Sequence, residues 1–116
     1  MFNGHDEVLL AGMTMGAHGG IGTFYNLLPE HFLGICEAVE KGNLAEGRKL
    51  QGEVNQLIRV VLGGNMHASL FSILRWQGVD CGRPALPSRP LDAAAEQALR
   101  QNLKDAGLLA ILGIDG

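Results

Sequence analysis

The run Met15-Gly16-Ala17-His18-Gly19-Gly20-Ile21-Gly22-Thr23-Phe24-Tyr25-Asn26 carries more structural information than any other part of this chain. Its glycines allow backbones to approach closely, and Ile21, Thr23, Phe24 and Tyr25 favour extension, so the pattern predicts one buried strand over His18 to Tyr25. A buried strand needs hydrogen-bonding partners on both sides. No other stretch reads as a clear strand, and the partners are therefore expected to be missing from this sequence.

Outward from that run the pattern is helical. From Asp6 to about Ala17, Val8, Leu9, Leu10, Met13 and Met15 recur close to helical spacing, with Asp6 and Glu7 where a helix N-terminus favours negative charge. Asn26 and Pro29 open the next helix, and Phe32, Leu33, Ile35, Cys36 and Val39 give it an apolar face before Gly42 ends it. Asn43 and Glu46 resemble a capping pair, after which Leu44, Leu50, Val54, Leu57, Ile58, Val61 and Leu62 keep the helical period up to Gly63 and Gly64. A further helix is expected over Met66 to Gln77, where Phe71 and Trp76 read as packing residues. Gly78 to Leu91, with Gly82, Pro84, Pro87 and Pro90, reads as an extended connection. Asp92 then caps a last helix, with Ala94, Ala98, Leu99 and Leu103 inward, which Gly107 stops before a short apolar tail. The sum is a mainly α chain with one or two short strands.

Composition narrows the classes of function. With 116 residues the chain holds one domain of modest size, and 47% hydrophobic against 18% charged residues argues for a buried core. Nine Lys and Arg against twelve Asp and Glu give a net charge of -3, without the basic stripe that a phosphate backbone requires, so nucleic acid is not an expected partner. The longest apolar run, Leu108 to Leu112, is far below the roughly 18 residues of a spanning helix, so no membrane segment is expected. Cys36 and Cys81 stand apart without metal-ligand neighbours, and no basic-then-apolar leader opens the chain, which together suggest reduced thiols in a cytoplasmic protein. Cys36 reads as an inert core thiol and Cys81 as an accessible one. His5, His18, His31 and His67 are not closely paired, so no metal site is expected. A dinucleotide fingerprint also fails, because Tyr25 stands where Gly20-Ile21-Gly22 would need a third glycine.

Asn3-Gly4-His5-Asp6-Glu7 followed by Met15 to Asn26 resembles the N-acetylneuraminate lyase branch of the dihydrodipicolinate synthase superfamily, through Gly-x-Asp-Glu and Gly-Gly-Ile-Gly-Thr-x-Tyr-Asn at the family's separation. The resemblance covers essentially all 116 residues and favours the lyase branch over the synthase branch, which usually lacks the Asp-Glu pair. It implies the C-terminal portion of a (β/α)8 barrel, from the end of strand seven through helix eight, plus three appended helices. Residues 1–42 would be the last barrel units and residues 43–116 the helical extension. A complete barrel takes roughly 200 to 250 residues, so this chain cannot supply one, and Met1 looks placed inside the seventh strand.

The family's reaction implies a lysine amine on strand six that forms an imine with pyruvate or the sugar acid and needs no metal or other cofactor. Lys41, Lys49 and Lys104 lie downstream of that position and read as surface charges, so no catalytic residue is assigned, and Tyr25 does not occupy the position of the family's proton-relaying tyrosine. What the resemblance implies for this chain is the distal, sugar-binding half of the pocket: Gly4 through its carbonyl, Asp6 and Glu7 through carboxylates, and Thr23, where the family usually has Ser, through its hydroxyl. Acceptors of this kind suit a polyol. Set against this, Asp6 and Glu7 could simply stabilise their own helix N-terminus, worth about 0.3 to 1 kcal/mol each. The expected activity of the complete enzyme is cleavage of a sialic-type sugar acid to pyruvate and an aldehyde sugar. The alternative is a non-enzymatic helical fragment that associates with itself or with a complementary barrel portion.

Overall fold

A computed structural model describes residues 1–115, in two compact units, Met1–Gln56 and a second from Leu57 onward. In the first unit, β1 (Phe2–Asn3) and β2 (Gly19–Gly20) form a parallel pair, Phe2 opposite Gly19 and Asn3 opposite Gly20. The partner expected outside the sequence is thus supplied in part from within it. Two residues are too few for alternation to be visible, so β1 exists through its pairing and has no pattern of its own.

Between the strands, a 3-10 turn over Asp6–Val8 runs into α1 (Leu9–Thr14), shorter than the helix expected to about Ala17. The extended run is also shorter than expected: it stops at Gly20, and Phe24–Asn26 form a second 3-10 turn. The reason is tertiary, because the Asp6 carboxylate accepts the Phe24 amide hydrogen and fixes the start of that turn. α2 (Pro29–Glu40) opens with proline in its first turn, and Gly42, at φ +70°, follows its end. α3 (Leu44–Leu62) starts on Asn43, whose Oδ1 accepts the Glu46 amide at 3.2 Å. Leu9, Phe24, Leu27, Leu28, Phe32, Ile35 and Val54 are buried in this unit, and α1 packs on α2. Leu33, expected inward, is 69% exposed, and Leu44 and Leu62 are also exposed.

In the second unit, α4 (Met66–Trp76) begins at Asn65, whose Oδ1 accepts the Ala68 amide at 3.1 Å. No helix or strand interrupts Gly78 to Leu91. α5 (Ala93–Asp105) is capped by Asp92, which accepts the Ala95 amide at 2.8 Å, and the apolar tail forms a further turn, α6 (Leu109–Leu112). Leu99 and Leu103 are buried as expected, whereas Ala94 and Ala98 are exposed. An alanine methyl buries too little area to orient a helix against two leucines. Ser72 and Arg75 on α4 both donate to the Glu96 carboxylate of α5.

Candidate functional site

Parallel pairing puts the residues that follow β1 and those that follow β2 at the same end of the sheet, so Gly4–Val8 and Ile21–Asn26 emerge together. The first turn is shaped from behind by Asn3, whose Nδ2 donates to the His5 carbonyl at 2.6 Å. A Cβ on Gly12 would lie 2.4 Å from Asn3 Oδ1, so α1 carries a glycine where that side chain needs space.

Asp6 joins the two segments. It is only 5% exposed, and its Oδ2 accepts the Phe24 amide hydrogen at 2.8 Å. Gly22 makes this possible, since a Cβ there would fall 1.7 Å from Asp6 Oδ1. Burial holds the Asp6 carboxyl above its ordinary value, outweighing the opposing Phe24 amide; the Glu7 charge also raises it and His5 lowers it. Asp6 makes no capping hydrogen bond to its own helix, and its carboxylate instead satisfies the start of a turn 18 residues away.

The other expected residues are more open. Gly4, Glu7 and Thr23 are exposed, and the Glu7 carboxylate lies 3.8 Å from His5 Nδ1. The Thr23 carbonyl accepts the Asn26 side chain at 3.0 Å, leaving the hydroxyl out of that contact. The structure therefore brings Asp6 against Gly22–Phe24, while among the described residues no hydrogen bond links the Glu7 and Thr23 side chains.

Two residues of α3 complete the arrangement without having been marked by the sequence. Gln51, buried, accepts the Leu10 amide at 2.9 Å and donates to the Asp6 carbonyl and to Asn55 Oδ1, both at 3.0 Å. Asn55 donates to the Glu7 carbonyl at 3.1 Å. Their signal was a glutamine and an asparagine four apart, on the same helix side as Val54 and Ile58.

Beside β2 lies an apolar groove of about 350 Å³, lined by Leu9, Gly19, Gly20, Tyr25, Phe32 and Cys36 among others. Tyr25 meets Phe32 edge to face, with centroids 4.3 Å apart, and its hydroxyl is buried without a hydrogen bond of good geometry. Burial pushes the phenol up, against a smaller opposing effect of the nearby Asn3 side chain, and likewise raises the Cys36 thiol. Lys41, Lys49 and Lys104 are exposed, with Lys41 paired to Glu37 at 2.5 Å. Among the described residues no three or more His, Cys, Asp or Glu gather into a group able to hold a metal ion, and no single helix is long and apolar enough to cross a membrane.

Known proteins resemble this chain over most of its length. N-acetylneuraminate lyase of Rhizobium meliloti is 34% identical over 101 residues, which are 87% of this chain and 34% of that protein. The crystal structure of N-acetylneuraminate lyase from Fusobacterium nucleatum superposes with a TM-score of 0.80 at 28% identity, covering 90% of this chain and 36% of that one. KD(P)GA from T. tenax gives 0.82 at 27%, covering 91% and 38%. The chain thus spans little more than a third of the length of the relatives it matches, and its mostly helical make-up with two short strands is consistent with part of an aldolase barrel. The Dihydrodipicolinate synthetase family model matches residues 1–106, and it is to this family that the chain belongs.

Proposed function

We propose that the chain is the C-terminal part of an N-acetylneuraminate lyase-like class I aldolase, running from the end of barrel strand seven through helix eight, with residues 43–116 as the helical extension. In this reading the complete enzyme cleaves a sialic-type sugar acid to pyruvate and an aldehyde sugar. The imine-forming lysine belongs to a strand outside these 116 residues, since Lys41, Lys49 and Lys104 are exposed and lie on or just after helices. The chain's own contribution is the wall that faces the sugar: the Gly4 carbonyl, the Asp6 and Glu7 carboxylates and the Thr23 hydroxyl. The observation that carries the reading is the Asp6 carboxylate, which ties together the two segments at the shared end of a parallel pair, where barrel enzymes keep their active sites.

The test uses an active enzyme that contains this chain together with the remaining strands. Asp6→Asn keeps an oxygen for the Phe24 amide and removes only the charge, and Glu7→Gln does the same at an exposed position. Each should weaken handling of the long sugar acid by about 1.5 to 3 kcal/mol, the value of a charged hydrogen bond, and leave imine formation with pyruvate nearly unchanged. Equal loss in both steps, or no change in either, would remove the sugar-wall assignment.

The apolar groove beside β2 favours a second reading, in which the chain acts through association with itself or with a complementary barrel portion. The two readings separate on sugar-acid cleavage in the completed assembly, which only the first requires.

A further inference from the structure

We infer that Gln51 and Asn55 of α3 are positioning residues that hold the Asp6–Glu7 turn in the geometry its carboxylates need, so that the helical extension takes part in building the sugar wall. This rests on the sugar-wall reading for its functional consequence, but the structural coupling it asserts stands independently.

The 3-10 turn at Asp6–Val8 is three residues long and has no side-chain cap; locally the Leu9 amide donates to the Asp6 carbonyl and the Val8 amide to the His5 carbonyl. Local bonds of this kind do not fix the orientation of so short a turn, which depends on further partners from elsewhere. α3 supplies them at three successive places. Gln51 donates to the Asp6 carbonyl, Asn55 donates to the Glu7 carbonyl, and Gln51 Oε1 accepts the Leu10 amide as α1 begins. The Gln51 to Asn55 hydrogen bond, four residues along one helix face, locks the two amides into a single unit. Gln51 is 8% exposed, so its amide is committed to these partners and does not exchange them freely for water. On the other side of the turn, Asp6 Oδ2 receives the Phe24 amide. The Asp6 residue is thus clamped through its carbonyl by α3 and through its carboxylate by the segment after β2. Loosening the first grip should loosen the second.

The experiment measures amide hydrogen exchange by NMR on the 116-residue chain carrying Gln51→Met, which keeps the length of the side chain and removes its polar atoms, and Asn55→Ala as a milder variant at a half-buried site. Both should leave the helix content unchanged by circular dichroism. Gln51→Met should speed exchange at Leu10 and, through Asp6, at Phe24 by about tenfold, the effect of losing one buried hydrogen bond, and Asn55→Ala should act in the same direction at Phe24 by less. Faster exchange at Leu10 alone would reduce Gln51 to an N-terminal partner of α1 and overturn the inference. Uniform acceleration at every amide would overturn it as well, leaving a residue that only adds global stability. If Gln51→Met does not fold, Asn55→Ala alone decides, and an unchanged Phe24 rate in that variant counts against the inference. In the active assembly, the same substitutions should raise KM for the long sugar acid several-fold and leave kcat and the pyruvate imine unaltered. Exchange that behaves as expected while Asp6→Asn and Glu7→Gln leave sugar handling untouched would preserve the clamp and reject the sugar wall.

Discussion

Gly22 has no room for a methyl group. Gly22→Ala would place Cβ within 1.7 Å of Asp6 Oδ1, so the carboxylate would have to leave the Phe24 amide or the segment would have to move. The expected loss in urea unfolding is about 1 to 3 kcal/mol, typical of overpacking. Because the clash is with one side chain, Asp6→Ala in the same chain should make the two losses less than additive, and strict additivity would place the strain elsewhere. The same carboxylate predicts a pH dependence of defined sign. Burial raises Asp6 above 3.8, so the folded state holds the proton more tightly than the unfolded state. Its contribution to stability is therefore complete below about pH 3.8 and is lost as pH rises through the raised value. Compared with Asp6→Asn, which does not titrate, the unsubstituted chain should lose relative stability with rising pH in that window. Parallel profiles in chemical unfolding would show that the burial of Asp6 has no net effect.

At the scale of elements, three of the long helices begin on side-chain or ring signals that were readable in the sequence: Pro29, Asn43 and Asp92 stand where α2, α3 and α5 start. Asp92→Ala should lower stability by about 1 kcal/mol in thermal or urea unfolding, and Asp92→Asn should restore most of it, because the lost group is the oxygen that accepts the Ala95 amide. A result in which asparagine is as damaging as alanine would assign the role to charge instead. These signals are local, which is why they could be read. The elements that sequence patterns missed or misdrew depend on distant partners: β1 on Gly19 and Gly20, the Phe24–Asn26 turn on Asp6, and the inward face of α5 on leucines that outweigh Ala94 and Ala98. For the candidate site the division is the same. Asp6 and its neighbours were marked by a motif in consecutive residues, whereas Gln51 and Asn55 act on backbone atoms more than 40 residues away and leave only a weak trace in composition.

At the scale of the whole chain, the exposed lysines and the exposed apolar side chains make separate predictions. Incubation with pyruvate and borohydride should leave the intact mass of the purified chain unchanged, and a stable adduct on one lysine would show that an imine-forming amine is present after all. Phe2, Met15, Ile21 and Leu33 are exposed on the first unit, and Leu33 lines the apolar groove, so the chain should self-associate at micromolar concentration. Light scattering that gives a sharp monomer, with a cooperative melt, would contradict this. The clamp from α3 also sets a rule for how this chain can vary in length. Each residue inserted or deleted between Gly42 and Gln51 turns the amide of Gln51 by about 100° around the helix axis, away from the carbonyl it serves. Lineages carrying this arrangement should tolerate insertions in the Gly78 to Leu91 connection and keep the spacing ahead of Gln51 fixed, so that α3 evolves at the pace of the turn it holds.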